Sequence, residues 1–87
     1  MKTRLEFYIC IEFNDNTFMS DETLNIVFED WVECTRYKIN KVNALIKLLK
    51  PNELFVITKE KENIYSTEID GTKYIISFII NKVELVE

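Results

Sequence analysis

Histidine does not occur in these 87 residues. That removes the commonest general base, the usual catalytic triads and dyads, and most zinc sites. A single glycine, Gly71, leaves nothing from which to build a P-loop or a dinucleotide-binding turn. Two cysteines, Cys10 and Cys34, are too few for a four-thiolate metal centre. In an unexported domain they are expected to be reduced thiols, not a disulfide. No apolar run approaches the roughly 18–20 residues that span a bilayer. Glu6 and Glu12 interrupt the stretch after Lys2 and Arg4, so the N-terminus does not read as a signal peptide. No Asp or Glu stands two residues before a Lys, so the Glu-x-Lys element of metal-dependent nucleases is missing. The expectation is a cytoplasmic protein that is not an enzyme, with no cofactor, no metal site and no membrane partner.

Alanine and proline also occur once each and arginine twice, while Ile, Asn and Lys make up a third of the chain. That usage favours AT-rich codons and points to a low-GC bacterium, or a phage or mobile element living in one. With 47% apolar and 30% charged residues the chain reads as globular, and its length fits one domain, residues 1–87. A domain of this size buries roughly 60–65% of its unfolded surface, so the core is small.

Periodicity supplies the elements. Leu5, Phe7, Ile9, Ile11 and Phe13 alternate with Glu6, Tyr8, Cys10 and Glu12, as in a strand with one buried face. Asn14-Asp15-Asn16-Thr17 then turns the chain. Ser20 or Asp21 is placed to cap a helix running to about Tyr37, with Leu24, Val27, Phe28, Trp31, Val32 and Thr35 on one arc and Glu22, Glu29, Glu33 and Arg36 opposite. A strand through Leu24, Ile26, Phe28, Val32 and Cys34 is the rival, spoiled mainly by Asp30. Asn40 is placed to cap a second helix carrying Val42, Leu45, Ile46 and Leu49, which Pro51 stops. Strands are expected over Glu53–Thr58, Ile64–Ile69 and Thr72–Ile80, with Lys59–Asn63 a solvated connection. Asp70-Gly71 is a two-residue hairpin loop that pairs Glu68 with Lys73. Asn81-Lys82 is read as a turn into a last strand, Val83–Val86. The fold class is therefore α+β: an antiparallel sheet of 4–5 strands with two helices on one face, ordered β-α-α-β-β-β.

Charge is unevenly spread. From Leu5 to Thr35 there are eight acids and no Lys or Arg, whereas residues 36–50 carry Arg36, Lys38, Lys41, Lys47 and Lys50 and no acid. Glu22, Glu29 and Glu33, with Asp30 and Asp21 alongside, form the candidate partner-binding ridge, flanked by the aromatics Phe18 and Tyr37. The ordinary alternative is a solvated face neutralised by the following lysines. Those lysines, Lys38 included, are read as solubilising a helix, and the pI near 4.9 argues against direct nucleic-acid contact. An EF-hand loop counted from Asn14 would need glycine where Met19 stands. Tyr8, Phe18, Tyr37 and Tyr65 are the aromatics expected to be exposed, with Trp31 holding the helix to the sheet.

These readings converge on a non-enzymatic binding protein. Its acidic helix would block a basic protein partner, a nuclease or nucleic-acid-binding complex. Small size, acidity and low-GC coding are the profile of toxin-neutralising immunity proteins and of phage-encoded antagonists of host defence, anti-CRISPR proteins included. The resemblance is one of type alone. The alternative is a homodimer or accessory subunit that associates through sheet edges.

Overall fold

The computed structural model describes residues 2–86. One antiparallel sheet carries one helix on one face, in the order β1 (Lys2–Phe13), β2 (Asn16–Met19), β3 (Leu24–Phe28), α1 (Trp31–Leu49), β4 (Thr58–Lys61), β5 (Ile64–Ile69) and β6 (Thr72–Val86). The α+β class stands. Among the described residues there are six strands and one helix, not two helices and four or five strands.

β1 and β6 form the middle of the sheet, with β5 and then β4 beyond β6. On its other side β1 pairs with two short strands in succession: Cys10–Phe13 with β2, and Thr3–Phe7 with β3. Ser20 spans the break between them. Its N–H donates to the Ile9 carbonyl at 2.9 Å, and its hydroxyl accepts the Ile9 N–H at 3.0 Å. Ser20 therefore continues a ladder; it caps no helix.

The segment expected to be a helix from Ser20 to Tyr37 divides. Leu24, Ile26 and Phe28 turn to the core as a strand, and the helix starts only at Trp31. Asp30 ends that strand by capping the helix: its carboxylate accepts the Glu33 N–H. The second expected start, at Asn40, lies exposed in mid-helix. Pro51 follows the end of α1, as its ring requires. The buried stripe of α1 is Cys34, Lys38, Val42 and Ile46, four residues apart, so a lysine fills one core position.

β6 contains the other departure. Phe7 pairs with Ile80 but Glu6 with Lys82, so Asn81 is an extra residue in the ladder. The expected turn at Asn81-Lys82 is thus a bulge in one strand. It switches the parity of the helix-side residues from Tyr74, Ile76, Phe78 and Ile80 to Val83 and Leu85. The Asp70-Gly71 loop is as expected, with both residues at positive φ (50° and 79°) and Glu68 opposite Lys73. Of the strand expected over Glu53–Thr58, only Thr58 is paired, and β4 occupies residues assigned to a solvated connection.

The core joins Leu5, Phe7, Ile9, Phe28, Val42, Ile46, Tyr65, Ile69, Tyr74, Ile76 and Phe78. Tyr65, expected to be exposed, is buried, because it lies on the helix side opposite Ile76. No helix among the described residues is long and apolar enough to cross a membrane.

Candidate functional site

A mainly apolar concavity of about 400 Å³ opens where the first turns of α1 meet the ends of β1, β3 and β6. The bulge supplies one of its walls. Past Asn81, Val83 faces the helix side, but α1 has already ended in that direction and leaves the strand ends uncovered. Leu5, Phe28, Cys34 and Ile80 form the floor, and Val83 (61% exposed) and Trp31 (59%) form the walls. Trp31 does not hold the helix to the sheet. Its ring lies instead along the cleft, 5.0 Å from the Lys38 ammonium.

Lys38 closes the inner end. Its side chain is 4% exposed, and its Nζ lies 3.5 Å from a Glu62 carboxylate oxygen and 3.4 Å from the Glu62 carbonyl. The expectation that this lysine solubilises the helix is therefore wrong. A chain that buries an ammonium needs such a partner, since desolvation costs several kcal/mol. Burial pushes the neighbouring Cys34 thiol up, against the pull of Lys38. Cys34 and Cys10 are both free and buried.

The acids singled out in the sequence do not share one helix face. Asp30 lines the cleft mouth, with Glu29 before it and Glu33 in the first turn of α1. Two of these three already have structural work. Asp30 caps α1, and the Glu33 carboxylate accepts the Glu29 N–H at 2.8 Å. Glu29 lies 3.5 Å from Lys2, both well exposed, a pairing worth little in water. None of the acids from Asp21 to Glu33 is paired with a lysine or arginine of residues 36–50, among the described residues.

Asp21 and Glu22 sit apart, in the exposed link between β2 and β3. Glu22 joins Phe18, Leu24, Lys41 and Leu45 around a second groove of about 360 Å³. Phe18 is half exposed and stacks on Phe13 at 5.3 Å. Tyr37 is half-buried, its ring 5.9 Å from Phe7 and 5.4 Å from Phe28, so it supports the cleft from below instead of flanking a ridge. Sequence reasoning missed Val83, Lys38 and Glu62. Only a recognised bulge at Asn81 would have turned Val83 toward the helix. No group of three or more potential metal ligands occurs among the described residues. Comparison with protein-family models, with curated proteins and with solved structures finds no match.

Proposed function

We propose that this chain is a non-enzymatic binding protein that grips a basic partner protein through the Trp31 cleft. The observation that carries the reading is an apolar cleft walled by an exposed tryptophan and valine, with Asp30 in its lining and Glu29 next to Asp30 in the chain. Trp and other aromatics set in a ring of charge are the usual anchors of protein interfaces. An apolar side chain of the partner fills the cleft, and lysines or arginines beside it meet the acids. Proteins that handle nucleic acid carry such basic surfaces, so an inhibitor of a nuclease or nucleic-acid-binding complex in the cytoplasm fits the charge. The acids act from the mouth of a cleft, not along a helix ridge.

Affinity capture from a lysate of the source organism, at low and at moderate salt, tests this. The expected result is a basic protein retained by the parent chain and lost with Trp31→Ala. Glu29→Lys should weaken capture mainly at low salt, because exposed charges are screened within about 10 Å at 0.1 M. A partner retained equally by Trp31→Ala and Val83→Asp overturns the reading.

A further inference from the structure

At the far edge of the sheet, Leu54 is 98% exposed and Val56 82%, in a segment that leads into β4 and whose exposure alternates as in an extended chain. The alternate residues, Phe55 and Ile57, pack against the core. Among the described residues, no backbone hydrogen bond to another backbone group involves Leu54, Phe55, Val56 or Ile57. The Val56 carbonyl points toward β5, where the Thr67 hydroxyl donates to it at 2.8 Å. Successive residues of an extended chain aim their N–H and C=O groups at opposite edges, so those of Phe55 and Ile57 face outward. Residues 54–57 thus present an apolar edge with no charge of their own, bracketed by Glu53 and Lys59.

We propose that this edge pairs with a second copy of the chain, antiparallel, about a two-fold axis at Val56. The sequence is self-complementary in that register, with an acid at one end and a lysine at the other. Val56 lies opposite Val56 of the copy, Phe55 opposite Ile57, Leu54 opposite Thr58, and Glu53 opposite Lys59. Both Phe55–Ile57 pairs exchange N–H···O bonds, which matches the outward direction of their backbone groups. Moving the axis one residue along, to Ile57, sets Leu54 against Glu60 and Phe55 against Lys59, so the alternative is disfavoured. Pro51 and Asn52 turn the chain away and end the pairing at Glu53. The contact uses no residue of the Trp31 cleft and stands or falls independently of it.

Cysteine scanning of the full chain tests the register. Cα atoms of a directly opposed, non-hydrogen-bonded pair lie about 4.5 Å apart, within disulfide reach. Val56→Cys should therefore give a covalent dimer under mild oxidation, with a mass twice the 10.4 kDa of the monomer. Leu54→Cys is more exposed, but the two copies of that position are about 13 Å apart along the paired strands, and it should not cross-link. Sedimentation of the parent should show mass rising with concentration. Glu53→Lys should abolish that rise, and Glu53→Lys with Lys59→Glu should restore it. Equal cross-linking of both cysteine variants, a monomer at every concentration, or failure of the double exchange to restore association overturns the proposal.

Discussion

The Asp30 carboxylate accepts the Glu33 N–H at 2.8 Å, and the Glu33 carboxylate reaches back to the Glu29 N–H at the same distance. Two acids that look like a free negative surface are thus a reciprocal cap on the start of α1, satisfying backbone donors the helix leaves open. Asp30→Ala should cost about 1 kcal/mol, and Asp30→Asn much less, since an amide oxygen still accepts the bond. For a domain of this size that is a fall of roughly 4–8 °C in Tm, read by circular dichroism. Equal Tm values for parent and Asp30→Ala would show that the cap contributes nothing.

Lys38 and Glu62 form the pair that closes the cleft, one member buried and the other half exposed. Replacing the lysine by an apolar side chain of similar length removes both the charge and its desolvation. Lys38→Met should therefore stay within about 1 kcal/mol of the parent. Glu62→Ala leaves the ammonium buried without its carboxylate and should cost about 1–3 kcal/mol. Urea midpoints in the opposite order would contradict this account.

The Tyr65 hydroxyl is buried without a hydrogen-bond partner, while its ring packs edge-on to Phe78 at 5.9 Å. Tyr65→Phe keeps the ring and removes a desolvated polar group. It should raise stability by about 1 kcal/mol, the lower end of the cost of burying an unpaired hydroxyl. A destabilised Tyr65→Phe in the same urea titration would mean that the hydroxyl is satisfied in solution.

What the sequence disclosed depended on how locally each signal is encoded. The Asp70-Gly71 hairpin was legible because two adjacent residues specify a turn that only positive φ allows, and the pairs beyond it follow by counting. The boundary near Phe28 was not. Leu24, Val27, Phe28 and Trp31 satisfy a helical period while Leu24, Ile26 and Phe28 satisfy a strand period, and only pairing with Thr3–Phe7 decides between them. The helix over Trp31–Leu49 was hidden because its buried stripe includes Cys34 and Lys38, while Trp31, Val32 and Ile39 face solvent. Asn81 stands out in the sequence only as a turn residue, so the change of parity that brings Val83 to the cleft was illegible. The acids singled out as one helix ridge stand instead on a loop, a helix cap and a first helical turn, because the helix starts only at Trp31.

Stability should fall on the alkaline side. Burial pushes the Cys10, Cys34, Tyr37 and Tyr65 groups up, each holding its proton longer in the fold than in the unfolded chain. Between the unfolded and folded values the unfolded state binds fewer protons, so the free energy of unfolding declines as pH rises. The decline should begin with the thiols near pH 8.5 and steepen as the phenols enter near pH 10, their ordinary ranges. Urea midpoints at pH 7, 9 and 10.5 measure it. Tyr65→Phe should flatten the upper part, and an unchanged midpoint across the range would contradict the burial of these groups.

Gly71 sits at φ +79° beside Asp70 at φ +50°, a two-residue loop whose twist matches the strands it joins. A Cβ at Gly71 would meet no atom within 4 Å, so substitution there is governed by backbone conformation alone. Gly71→Ala should cost about 1–2 kcal/mol, the penalty for an L-residue in the left-handed region. Asp70→Gly relieves the same strain at the first loop position and should be near neutral, offset by the added freedom of the unfolded chain. Because the loop fixes Glu68 against Lys73, and through β5 the position of buried Tyr65, damage here should spread. Hydrogen exchange should quicken across β5 and β4 in Gly71→Ala while β1 and β2 keep their protection. Uniform loss of protection along the whole sheet would instead mean that the hairpin has no local stability of its own.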